Sequence, residues 1–133
     1  MGARILIVED EILVAMELEF ILREAGHDVA GIAADTSSVG RLAAPDIDLA
    51  LVDLNLRDGV TGPVIGEALV REHGVSVVFL TANPGLLGKG VAGTYGVLSK
   101  PYDETAVRRT VDYALLRRTG ATPPPPPGLR PFA

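Results

Sequence analysis

The chain has 133 residues, 47% of them hydrophobic and 22% charged, and it contains no cysteine. That length buries one full core without staples, and the lack of thiols excludes a disulfide framework and thiolate metal centres. With 17 acidic residues against 12 basic and a net charge of −5, the composition also argues against a binder of nucleic-acid phosphates.

No apolar run approaches the ~20 residues that a bilayer requires, and no basic-then-apolar leader opens the chain. The expectation is a soluble, cytoplasmic protein with neither nucleic acid nor membrane as partner. Aromatic residues are only 5% of the total, so Val, Leu, Ile and Ala must build the core, which suits a buried parallel sheet.

Arg4 to Val8 is a continuous apolar strand that runs into the acids Glu9, Asp10 and Glu11. A helix from about Glu11 to Ala25 follows, with a broad apolar face including Leu13, Met16, Leu18, Phe20 and Ile21, and Gly26 stops it. Asp28 to Ile32 reads as the second strand. Thr36 to Ala44 reads as a short helix capped by Thr36, Ser37 or Ser38 and closed before Pro45.

The third strand, Ile47 to Val52, ends at Asp53, and a loop from Asn55 to Gly62 leads to a helix with Pro63 in its first turn. That helix runs to about Glu72 and ends at Gly74. Val75 to Leu80 is the fourth strand, terminating at Thr81. Between Asn83 and Gly93 the glycines at 85, 88, 90 and 93 predict a short or irregular fourth helix, each costing about 1 kcal/mol relative to alanine. Tyr95 to Leu98 is the fifth strand, ending at Ser99-Lys100-Pro101, and the last helix runs from Asp103 to about Arg118. Residues 119–133, with five consecutive prolines, are expected to be an extended or disordered tail rather than helix or central strand. His27 and His73 read as surface residues.

Strand and helix alternating five times imply a doubly wound parallel α/β sheet of five strands with helices on both faces, flavodoxin-like with strand order 2-1-3-4-5. In such sheets the site lies beyond the carboxyl ends of the strands. Those ends carry Glu9 and Asp10, Asp53, Thr81 and Lys100. Carboxylates held together repel one another unless a hard divalent cation relieves them. A lysine and a hydroxyl beside such an ion can hold the oxygens of a phosphoryl group, which aspartate can accept as a nucleophile.

Ile5-Leu6-Ile7-Val8-Glu9-Asp10-Glu11, Asp53-Leu54-Asn55-Leu56, Leu80-Thr81-Ala82 and Ser99-Lys100-Pro101 together resemble the receiver domains of two-component response regulators, over residues 4 to about 118. The resemblance implies that Asp53 accepts a phosphoryl group from a histidine kinase or histidine phosphotransferase. It implies Mg²⁺ (or Mn²⁺) held by Glu9, Asp10, Asp53 and the backbone carbonyl of Asn55. Thr81 and Lys100 would bind the phosphoryl oxygens, Ala82 would leave room for them, and the Lys100–Pro101 peptide would be cis. Asn55 and Asn83 occupy positions that tune hydrolysis of the acyl phosphate. A downstream protein would dock on the face of the fourth helix, fifth strand and last helix, and the family's habit of dimerising leaves a homodimer open.

Two departures stand out. The position three before the lysine, often an aromatic switch residue, is Val97, with Tyr95 two residues earlier and on the same face by alternation. Arg57 replaces a proline common after the acceptor. With the glycine-rich fourth segment, these features resemble receivers that partner HWE- or HisKA2-type histidine kinases. The expectation is a single-domain response regulator of residues 1–118 with an appended tail. The alternatives are the receiver of a hybrid kinase or multidomain regulator, or a binding module that is never phosphorylated. An aspartyl-phosphate hydrolase lacks its Asp-x-Asp-x-Thr motif here, and a nucleotide fold lacks glycines in the first strand–helix turn.

Overall fold

A computed structural model describes residues 2–132. In chain order the elements are β1 (Arg4–Val8), α1 (Ile12–Glu24), β2 (Asp28–Ala33), α2 (Thr36–Leu42), β3 (Leu49–Asp53), α3 (Gly62–His73), β4 (Ser76–Thr81), β5 (Gly96–Ser99), α4 (Glu104–Arg118) and β6 (Leu129–Pro131). They form one sheet in the order β2-β1-β3-β4-β5-β6. The first five strands are parallel, and β6 runs antiparallel along β5.

The apolar runs behave as strands buried on both faces. Ile5, Ile7, Leu49, Leu51, Val78, Leu80 and Leu98 pack with Ala15, Leu18 and Leu22 of α1 and Val107, Val111 and Ala114 of α4. The alternate residues Leu6, Val8, Ala50, Val52, Val77, Phe79 and Val97 pack with Val39 of α2 and Ile65 and Leu69 of α3. This strict alternation by two is what fixes register in a sheet covered on both sides. Gly66 of α3 lies against Phe79, where an added Cβ would come within 2.5 Å of the ring. Gly74 closes α3 at φ 66°, a left-handed position open to glycine without strain.

Three expectations are corrected, and that of the fourth helix holds. The sheet has six strands, not five, because part of the proline-rich tail pairs with β5; Ala133, the last residue of that tail, lies outside the described residues. The short or irregular fourth helix is a single 3-10 turn, Pro84–Leu87, as the glycines around it require. On α1 only part of the predicted face is inside. Leu18 and Ile21 are buried, but Leu13, Met16 and Phe20, with Ile12, form a second stripe exposed to solvent.

The cap of α2 is Asp35 rather than Thr36, Ser37 or Ser38. Its carboxylate accepts the Ser38 N–H at 2.9 Å, while the Ser38 hydroxyl accepts the Asp35 N–H at 3.2 Å, a reciprocal box at the helix start. Replacing Asp35 by alanine is expected to cost about 1 kcal/mol, read as a lower urea midpoint at unchanged slope.

Candidate functional site: an acidic cleft at the carboxyl edge

β1, β3 and β4 end side by side, since Val8 registers with Val52 and Asp53 with Leu80. Glu9 and Asp10 therefore leave β1 next to Asp53, the last residue of β3. Carboxylate oxygens of Glu9, Asp10 and Asp53 lie within 4.8 Å of one another. Asp10 is exposed, whereas Glu9 and Asp53 are buried, at 1% and 5% exposure. Two buried carboxylates in contact are costly unless paired or bound to a cation.

Lys100 supplies the pairing. The Lys100 N–H donates to the Thr81 carbonyl at 2.8 Å, extending the β4–β5 ladder past Ser99. That bond aims the side chain back over β3. Its ammonium donates to Asp53 Oδ2 at 2.8 Å and reaches Glu9 Oε1 at 3.4 Å. The Lys100–Pro101 peptide is cis. A cleft of about 300 Å³ opens above, lined by Asp10, Asp53, Asn55, Ala82 and Lys100. Glu11, which the sequence had not marked as a site residue, lines the same cleft and donates its N–H to Glu9 Oε2 at 3.2 Å. Its place in the acid run was the available signal.

The electrostatics follow from this crowding. Burial, and then the charge of Asp53, push Glu9 up to about 7 against the pull of the Glu11 N–H and of Lys100. Burial on its own would lower the Lys100 ammonium. The hydrogen bond and charge of Asp53, with the charge of Glu9, outweigh it and hold the ammonium above its ordinary range. Tyr102, beside Lys100, is pushed up to about 12 chiefly by burial.

The remaining residues divide. Asn55 is exposed at the rim, and its N–H donates to Asp53 Oδ1 at 3.2 Å. Thr81 is buried at the end of β4, its hydroxyl accepting the Asn83 N–H at 3.0 Å, with Ala82 and Asn83 exposed after it. Pro101 lines a separate cavity with Glu11, Ala82, Lys100 and Tyr102.

Tyr95 and Val97 are not brought to it. Val97 is buried in the cluster on the α3 side of the sheet. Tyr95 precedes β5 and packs on the opposite side, so the expected shared face is corrected: alternation does not extend past the strand's first residue. Its ring lies under the Arg117 guanidinium at 5.0 Å and its hydroxyl accepts from Ser76 at 3.3 Å. Ser76 begins β4, so Tyr95 stands roughly 13 Å of strand from Ser99 and the cleft.

Three acids donating only hard oxygens, two of them buried, fit a divalent cation of the Mg²⁺ type. Fold and site together define a doubly wound α/β protein with an acidic pocket and a fixed lysine at its carboxyl edge. The response regulator receiver domain model matches residues 5–112, and the chain belongs to that family.

Over 125 residues the chain is 32% identical to the phyllosphere-induced regulator PhyR of Methylorubrum extorquens, covering 91% of this chain and 46% of that protein. It resembles the solution structure of the receiver domain of Erythrobacter litoralis PhyR with a TM-score of 0.80 and 36% identity, covering 92% and 97% of the two chains. The crystal structure of Bartonella quintana PhyR, described as an anti-anti-sigma factor, matches with a TM-score of 0.78 and 25% identity, over 90% of this chain and 50% of that one. The chain spans about half the length of the curated relatives it matches. Among the described residues no helix is long and apolar enough to cross a membrane.

Proposed function

We propose that the chain is a cytoplasmic phosphoacceptor, taking a phosphoryl group onto Asp53 from a histidine kinase or histidine phosphotransferase and thereby switching its affinity for a protein partner. Residues 1–118 form the signalling unit and 119–133 its appendage. The observation that carries the reading is the Lys100 ammonium 2.8 Å from the Asp53 carboxylate, with the Glu9 and Asp10 oxygens alongside.

In the transfer, an Asp53 oxygen forms a bond to phosphorus as the donor's P–N or P–O bond breaks, the electron pair leaving with the donor group. Lys100 sits where it can follow the charge onto the transferred oxygens. Thr81 lies at the neighbouring strand end, and Ala82 keeps its approach open for lack of bulk. Asn55 and Asn83 stand at the exposed rim, where they govern the access of water to the acyl phosphate. Mg²⁺ or Mn²⁺ would be held by Glu9, Asp10, Asp53 and the Asn55 carbonyl, and would supply charge neutralisation for phosphoryl oxygens.

The match to one half of an anti-anti-sigma factor supports a protein, rather than nucleic acid, as the downstream partner. Intact mass after incubation with acetyl phosphate tests the proposal. A single Mg²⁺-dependent phosphoryl adduct, absent from Asp53→Asn, is the expected result. A folded, Mg²⁺-binding chain that takes no adduct from acetyl phosphate or from a phosphorylated histidine phosphotransferase overturns it in favour of a binding module.

A further inference from the structure

We propose that residues 123–132 are an intramolecular strap that closes the β5 edge and the neighbouring face of α4, and that phosphorylation of Asp53 loosens it. Three contacts build the strap. Pro123 to Pro127 run beside Arg109, Asp112, Tyr113 and Leu116, a single stripe of α4. Leu129, Arg130 and Pro131 then pair antiparallel with Leu98, Val97 and Gly96. Finally Phe132, 6% exposed, enters the core 6.5 Å from Phe79, and its N–H donates to the Tyr95 carbonyl at 3.0 Å.

The body of the fold is shaped to receive this segment. A Cβ on Gly96 would stand 2.6 Å from the Arg130 carbonyl oxygen, and its three nearest neighbours all belong to the strap. A Cβ on Gly90 would stand 2.5 Å from the Phe132 ring. Both glycines admit the strap at distances that no other residue permits. Since the Phe132 N–H points to β5, alternation turns Pro131 outward. The new edge therefore ends in a residue without a donor, which blunts further strand addition.

The strap also reaches the segment that follows the site. The Arg130 guanidinium donates to the carbonyls of Gly88 at 2.8 Å and Pro84 at 2.9 Å, bracketing the 3-10 turn. That turn begins after Asn83, whose N–H is held by the Thr81 hydroxyl. A Thr81 hydroxyl drawn toward a phosphoryl group on Asp53 gives up that geometry, and the carbonyls that Arg130 holds shift with the turn. This coupling rests on the phosphoacceptor reading. The strap therefore occupies the surface expected to meet a downstream partner, and its release bares β5 as an unpaired edge able to accept an extended segment.

Hydrogen exchange on the full-length chain tests this, with Gly96→Ala and Arg130→Ala as variants outside the acidic site. Both are expected to speed exchange in peptides covering 95–99 and 128–132 by about tenfold, the loss of one or two net hydrogen bonds, while α1 and β1 keep the parent rate. Parent rates in both variants overturn the strap. In the parent chain with Mg²⁺, the Asp53 adduct, verified by intact mass, is expected to speed the same peptides. An adduct without that change overturns the coupling and leaves the phosphoacceptor reading standing. No adduct overturns both, and the two variants still decide the strap.

Discussion

Replacing Lys100 by alanine is expected to slow phosphorylation of Asp53 by about a hundredfold or more, the size of loss seen when one fixed charge-stabilising donor is removed. The same change should lower stability at pH 8 by about 2 kcal/mol, discounted for the part of the pair that water reaches. Both effects have one origin. The ammonium sits between Asp53 and Glu9, side chains 7% and 0% exposed, with no other cationic side chain bonded to either among the described residues. Without it the two carboxylates face each other unscreened, and Glu9, already pushed up to about 7, retains its proton to higher pH. The stability loss should therefore shrink at pH 6, where a protonated Glu9 removes the repulsion. Measuring adduct formation with acetyl phosphate and urea unfolding at both pH values checks this. A variant that is phosphorylated at the parent rate would show that Lys100 pairs the carboxylates without assisting transfer.

The convergence of Glu9, Asp10, Asp53 and Lys100 was legible because it depends on few choices. Each residue lies within two positions of the end of an apolar run, and such runs become adjacent parallel strands whose ends share one edge. An error of one or two residues at a strand boundary moves none of them off that edge. Strand β3 begins at Leu49 rather than Ile47 and ends at Asp53 rather than Val52, yet Asp53 stays in place.

What was not legible lies in tertiary contacts between distant residues. Strand β6 is three residues long and contains a proline, so nothing local marks it. It exists because Gly90 and Gly96, more than thirty residues earlier, leave room for Phe132 and the Arg130 carbonyl. The cap of α2 was missed because Thr36, Ser37 and Ser38 are all competent caps. The fold selects Asp35 through its extended φ of −160° and the Ser38 bonds. On α1, apolar residues occupy two faces of one helix, and periodicity cannot say which of them meets the sheet. Ala15, Leu18, Ile21 and Leu22 do, leaving Ile12, Leu13, Met16 and Phe20 in water.

Without divalent cation, the protein is expected to lose stability as pH rises from about 5 to 8, and Mg²⁺ is expected to restore it. Glu9 in the folded chain is raised to about 7 from its ordinary 4.5, so between those values the native state binds a proton that the unfolded chain has released. Stability from this group is complete below 4.5 and is lost as pH climbs through 7. The loss is on the order of 3 kcal/mol when fully expressed. The depressed carboxyls act at the other end of the scale: Asp58, held down to about 2 by hydrogen bonds from Thr61 and Thr36, adds stability that disappears only as pH falls toward that value.

A cation among Glu9, Asp10 and Asp53 reverses the balance at neutral pH, because it binds the ionised cluster of the folded chain and competes with the proton on Glu9. At a hundred times its dissociation constant it adds about 2.7 kcal/mol. The rise in melting temperature on adding Mg²⁺ should therefore be several degrees at pH 8 and should dwindle by pH 5.5, where Glu9 is protonated in the folded chain. Asp53→Asn, with one ligand oxygen pair neutralised, should show a smaller Mg²⁺ increment at pH 8 than the parent. Parallel melting curves against pH, with and without Mg²⁺, decide the matter: equal slopes would mean that the ion does not engage Glu9 and that the acidic cluster holds its charge by Lys100 alone.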